Sequence, residues 1–194
     1  MNTKSLSVIR FYFAQCVFMN NIHYKSHTRL CEIENRNRNI VFVIASLTLI
    51  VLILDIIGLE LENDQLLDVL SYCGLLLTGA SLIFQLFNKQ DINEIKVQHK
   101  NIAEEYKVLR DQFMSLIEKA ISNSESEKKL RIKFNKLLGT YSIIGKSSPS
   151  TTYIDYLKAQ KSLGLGNKSD EEFTWTDSEI DKFLPIELHI NDNI

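Results

Sequence analysis

Residues 40–59, IVFVIASLTLIVLILDIIGL, and residues 69–87, VLSYCGLLLTGASLIFQLF, decide the fold of this 194-residue chain. At about 1.5 Å per helical residue, each run is long enough to cross a hydrocarbon core roughly 30 Å thick. No residue from Ile40 to Leu54 or from Val69 to Phe87 is charged, and only Asp55 interrupts the first run, near its end. A charge there costs less than the roughly 2.5–3.5 kcal/mol expected at mid-span. An amphipathic soluble helix would place Lys or Glu on its outer face every third or fourth position, and neither run does. The pair reads as a transmembrane hairpin with spans of about 40–59 and 67–88.

The average composition conceals this. Net charge is −2 and mean hydropathy is near zero because an apolar third is diluted by a highly polar remainder. Cys16, Cys31 and Cys73 form no CxxC pair and no even set, which points to reduced thiols rather than a disulfide framework. Phe11 to Met19 imitates a short signal-peptide core, but Gln15 interrupts it and no small-residue cleavage site follows. Lys4, Arg10, Lys25, Arg29, Arg36 and Arg38 precede the first run, and Lys89, Lys96 and Lys100 follow the second; the segment 60–65 between the runs has no Lys or Arg. The positive-inside bias then puts both termini in the cytoplasm and the acidic turn outside. Three regions result: an N-terminal cytoplasmic helical region at 1–38, the hairpin at 39–88, and a cytoplasmic helical region with an acidic tail at 89–194.

Outside the hairpin the signals are helical. A helix is expected over Asn21 to Glu34, where His23 and His27 stand four apart; with no carboxylate or cysteine in register they read as solvated surface histidines rather than metal ligands. After the second span there is no Pro or Gly from Asn88 to Ala120. Ile92, Ile95, His99, Ile102, Tyr106, Leu109, Phe113, Leu116 and Ala120 recur there at spacings of three and four. The second span is therefore expected to run on as a long cytoplasmic helix carrying a heptad seam. That seam serves equally an intermolecular coiled coil or packing on the chain's own helices. Ser124–Glu127 reads as a capping box opening a helix that Gly139 ends, a further helix covers Tyr153 to Leu163 before Gly164, and Thr176–Glu179 caps a last one that stops at Leu184–Pro185. Strand-like alternation is nowhere sustained, so the fold class is an all-α membrane protein.

No P-loop, GxSxG, HExxH or Cys/His cluster is present, so neither an enzyme nor a metal or other cofactor is expected. The polar residues of the second span are instead ordered. Asp64, Asp68, Ser71, Gly74, Thr78, Ser81, Gln85 and Asn88 follow one another at three and four residues and share one helix face. Such a stripe avoids lipid. It either packs helix on helix through its small residues and hydroxyls, or lines a water-filled axis among several copies with the two aspartates at its mouth. A second feature is electrostatic: Lys128, Lys129, Arg131, Lys133, Lys136 and Lys146 lie in a stretch without Asp or Glu, while eight acidic residues from Asp170 onward face Lys182 alone. This basic segment pairs with the tail, lies on anionic lipid, or captures an anionic ligand such as a nucleotide.

Taken in order, these residues resemble the SLATT family (SMODS and SLOG-associating two-transmembrane effector domain) over roughly residues 20–190. The resemblance rests on Tyr24, His27, Arg29 and Leu30 before the first span, the hairpin, Ala103-Glu104-Glu105-Tyr106-Lys107-Val108-Leu109, Pro149 ahead of Tyr153, and Thr176–Ile180 with Leu184–Pro185. It implies a bacterial anti-phage effector that forms a pore in the inner membrane and causes abortive infection. The implied trigger is a nucleotide or oligonucleotide made by a partner nucleotidyltransferase, since the chain has no sensor domain of its own. The expected partners are the lipid bilayer, further copies of the chain (a homo-oligomer, tetramer as the working number) and that nucleotide. The alternative is a membrane-anchored helical scaffold that recruits a partner without conducting.

Overall fold

The computed structural model describes residues 3–60, 64–88, 92–166 and 174–190. Every regular element among them is helical: α1 (Thr3–Glu60), α2 (Asp64–Asn88), α3 (Ile92–Ile121), α4 (Glu127–Ser147), α5 (Tyr153–Ser162), α6 (Asp177–Asp181) and a 3-10 turn at Ile186–Leu188. The expected all-α class is what the chain adopts. The predicted continuity of the second span into the seam falls on residues 89–91, outside the described residues. So do half of the acidic turn, at 61–63, and the tail segments 167–173 and 191–194.

Several local expectations change. The helix expected over Asn21–Glu34 is part of α1, 58 residues long, whose sequence has no Pro and no Gly before Gly58 to stop it. Gly139 does not end α4, which continues to Ser147. A mid-helix Gly costs about 1 kcal/mol, but Leu130, Phe134, Leu137, Tyr141 and Ile144 keep the core face in register on both sides of it. Their burial outweighs that cost. The Ser124–Glu127 capping box does not form either. The N-cap is Ser126, without a side-chain cap bond, and Glu125 turns to Lys133 instead. The other turns follow the sequence signals: Asn123 is left-handed at φ 48°, Gly164 at φ 68° follows α5, and Thr176 and Glu179 close a capping box on α6.

The chain divides into two compact units, Met1–Arg29 with Ile95–Ile194, and Leu30–Glu94. In the first, the N-terminal part of α1 packs with α3 and α4. Ile9, Phe13, Cys16 and Val17 meet Ile102, Tyr106, Leu109, Phe113, Leu116, Ile117, Leu130 and Ile144 in one core. Aromatic rings tie the three helices together: Tyr12 stacks on Phe113 and meets Phe134 and Tyr141 edge-on. A smaller cluster of Phe18, Ile22, Ala159 and Leu165 seats α5, while Ile180 and Leu184 bring the C-terminal segment onto the main core. Arg10, fully buried, anchors that segment by donating to Leu188 O at 3.2 Å and to Asp181 Oδ1 at 2.6 Å.

The second unit is the hairpin. Its packing face on α1 carries Ile44, Thr48, Val51, Asp55 and Gly58, the less exposed positions at three- and four-residue spacing. On α2 the corresponding set is Leu67, Leu70, Gly74, Leu77, Ser81 and Phe84. The remaining apolar surface is open, with Phe42 72% and Leu76 73% exposed. Each such side chain would gain about 1.5–3 kcal/mol by leaving water. Neither apolar window is buried within the chain, so the surroundings must supply the apolar medium.

Candidate functional site

The structure splits the polar stripe of α2 in two. Gly74 and Ser81 lie on the face toward α1, and a Cβ added at Gly74 would meet Val51 Cγ1 at 3.6 Å. Asp64, Asp68, Ser71, Thr78 and Gln85 lie on the exposed flank beside that face. Asn88 is the last residue of α2, and its side chain lies outside the described residues. Thr78 Oγ1 donates to Gly74 O at 2.8 Å and Gln85 Nε2 to Ser81 Oγ at 3.1 Å, so each keeps one bond along the helix itself. Asp64 stands in the first turn of α2, where a carboxylate suits the positive end of the helix dipole. Asp55, on the opposing helix, has its Oδ1 buried without a hydrogen-bond partner among the described residues.

The seam residues are placed differently from an oligomer interface. His99, Ile102, Tyr106, Leu109, Phe113 and Leu116 are all buried against the chain's own α1 and α4, while Ile92 is half-buried and Ile95 exposed. The three-four spacing satisfies an intramolecular bundle, and knobs already seated in it are not available to a neighbouring copy.

That packing also overturns the expectation of solvated surface histidines. His23 is 1% exposed and shares its Nδ1 with His99 Nδ1 at 2.9 Å, its ring stacked on Tyr106. Such a contact needs one imidazole to donate and the other to accept, so the accepting ring is neutral. Burial, reinforced by the neighbouring His99, lowers His23 to about 4, and burial lowers His99 as well. His27 sits a turn further on with its Nδ1 3.0 Å from Lys96 O. Beside this pair Asp155, fully buried on α5, receives Ser26 Oγ at 2.9 Å, Arg29 Nε at 2.9 Å and Thr152 Oγ1 at 2.7 Å. Burial alone would push its carboxyl up, but the bonds from Arg29, Thr152 and Ser26 outweigh it and hold the group at about 2. Sequence reasoning misses this layer. One signal that could have found it is that Ile9, Phe13, Cys16, Asn20 and His23 carry on a three-four spacing, which puts His23 on a core face. Among the described residues no group of three His, Cys, Asp or Glu is arranged to hold a metal.

The basic segment is not one patch. Lys128, Lys129, Arg131, Lys133 and Lys136 are all exposed, but they point to different places. Lys133 and Lys136 line a groove shared with α3, whereas Arg131 lines a separate cavity with Ser5, Val8 and Phe134.

An open apolar hairpin attached to a well-packed helical unit defines a two-span helical membrane protein. The chain belongs to the SMODS and SLOG-associating 2TM effector domain family 4, whose model matches residues 6–179. Membership makes it a membrane effector of the kind found in anti-phage systems. No curated protein and no solved structure gives a match.

Proposed function

We propose that the protein is a homo-oligomeric pore of the bacterial inner membrane, both termini cytoplasmic, that depolarises the infected cell when a nucleotide-type signal from a partner nucleotidyltransferase reaches its cytoplasmic helices. The observation that carries this reading is the uncovered flank of α2. Asp68, Ser71, Thr78 and Gln85 lie beside the packing face rather than within it, on a helix whose other faces are Leu, Ile, Val and Phe. Polar side chains at that depth need water or a neighbour, and copies arranged about one axis supply both. Asp64 and Asp68 would then ring the outer mouth and favour cations. The protein performs no covalent chemistry in this scheme and needs no cofactor.

The second reading, a membrane-anchored scaffold, draws on the hydroxyl and amide bonds kept along α2, which let the same flank pack dry against another helix. Planar-bilayer recording of the purified full chain separates the two. Conductance whose cation preference falls in the Asp64→Asn, Asp68→Asn double variant supports the pore. A silent bilayer with the nucleotide and partner enzyme present favours the scaffold.

A further inference from the structure

We propose that the groove between α3 and α4 is a binding site for a phosphate-bearing anion, held by Lys119, Lys133 and Lys136, for which the carboxylate of Glu125 competes in the resting chain by engaging Lys133. The inference takes its physiological sense from the gating reading above, but its test does not depend on conductance.

The groove encloses about 420 Å³ and is floored by Leu116 and Leu137. Three lysines line it from two helices, Lys119 from the last turn of α3 and Lys133 and Lys136 from α4. Gln112, Ser115 and Thr140 add an amide and two hydroxyls to the same walls. Three like charges around one concavity repel unless an anion lies among them, and the weaker screening beside an apolar floor makes that repulsion felt.

The chain supplies one anion itself. Glu125, in the turn between the helices, accepts a hydrogen bond from Lys133 through Oε1. That bond, with the charges of Lys133, Lys119 and Lys129, holds its carboxyl below the usual range. Its second oxygen, Oε2, is buried and has no hydrogen-bond partner among the described residues. Glu125 is therefore an incomplete partner for the groove's lysines: it bonds Lys133 from outside the groove lining and leaves one oxygen unmatched among the described residues. A phosphate chain brings more charge and oxygens on several sides, enough to give the three lysines a shared partner. Its arrival takes Lys133 away from Glu125 and so frees one tie of the Ser122–Ser126 turn, whose Asn123 is the one described non-glycine residue at positive φ.

The arrangement also separates the basic residues by role. Lys128 and Lys146 add to the general field of α4 without lining the groove. Two sources share the chemistry required, a free oligophosphate and an anionic lipid headgroup.

Titration calorimetry of the full chain in phosphatidylcholine nanodiscs, with sodium tripolyphosphate as probe, tests the site. A charge-assisted hydrogen bond contributes about 1.5–3 kcal/mol, so the Lys133→Gln, Lys136→Gln variant should bind at least about tenfold more weakly. The Lys128→Gln, Lys146→Gln variant removes the same charge from the same helix and should change affinity less than about threefold, while Glu125→Gln should tighten binding. Absence of heat, equal losses in the two lysine pairs, or unchanged or weaker binding in Glu125→Gln would overturn the proposal. Repeating the titration with phosphatidylglycerol in the nanodisc identifies the source: lost tripolyphosphate binding assigns the groove to headgroups, retained binding to a soluble phosphate. Tripolyphosphate that binds while nucleotides leave conductance unchanged would remove the gating reading and keep the groove.

Discussion

The two units solve the same problem, hiding apolar surface, in opposite ways. In the unit of Met1–Arg29 and Ile95–Ile194 the chain does so itself: Phe13 and Phe113 are fully buried, and buried polar side chains such as Asp155 and Ser26 find partners on other helices. In the unit of Leu30–Glu94 the α1–α2 contact covers one face of each helix and leaves the rest of the apolar surface bare. The first unit carries its solvent-excluded medium inside, and the second borrows it from the bilayer. The same substitution should therefore have very different consequences in the two places.

Aromatic truncation gives the largest contrast. Phe113→Ala removes a fully buried ring from the centre of the first unit and should lower unfolding free energy by about 3–5 kcal/mol. Phe42→Ala removes a ring that is open to lipid or detergent and should cost less than about 1 kcal/mol, because no protein cavity is left behind. Denaturant unfolding of both variants in one detergent makes the comparison. Equal losses would mean that Phe42 is covered by protein, as in a tightly packed oligomer, and would redraw the lipid boundary.

The polar layer tests the first unit more finely. Asp155→Asn keeps the shape but removes the charge that gathers Arg29, Ser26 and Thr152, and should cost about 3 kcal/mol. Because Arg29 is partly exposed, its guanidinium can turn to water, which keeps the loss below that of a sealed pair. An effect below about 0.5 kcal/mol in thermal or denaturant unfolding would show that the capping box of α5 holds without the ion pair.

How much of this was legible in the sequence follows the same division. The hairpin could be read because its signal is local: an uncharged run of span length needs no knowledge of a partner. The seam was legible as a pattern, but not its destination, since three-four spacing is the same whether the facing helix belongs to this chain or another. The histidine layer was less legible still. His23 and His99 stand 76 positions apart and become meaningful only when α1 and α3 are side by side. Gly139 misled because a glycine stop is a local rule, and the core face from Leu130 to Ile144 overrides it. In the candidate site, the stripe on α2 was visible by period alone, whereas its division into packing and open flanks depends on where α1 lies.

Acidification provides the next prediction. His23 is depressed to about 4 against an ordinary value near 6.5, so between those values the unfolded chain binds the proton that the folded chain refuses. The stabilisation is complete above about pH 6.5 and is lost as the pH falls toward and through about 4, reaching roughly 2 kcal/mol by about pH 5. Besides burial, His99 and Asp155 act on it: His99 adds to the shift and Asp155 works against it, while Arg29 and His27 act on His99 in turn. Thermal unfolding between about pH 7.5 and about pH 5 should show this slope, with a smaller one in His23→Asn. Identical slopes in the two proteins would place the titration elsewhere.

The smallest effect is expected where the hairpin is closest. Gly74 sits on the stripe and on the packing face at once, where a small residue permits tight helix approach. An added Cβ would meet Val51 Cγ1 at 3.6 Å, an ordinary van der Waals separation, and nothing nearer. Gly74→Ala should therefore be tolerated, with a gain of about 0.5–1 kcal/mol from helix propensity. Gly74→Leu has no such room toward Val51 and should pry α2 from α1, seen as lower hairpin stability in detergent and, if the stripe lines a pore, as altered conductance. A loss of stability in Gly74→Ala would mean that another helix, from a second copy, already presses on the glycine from the side this chain leaves open.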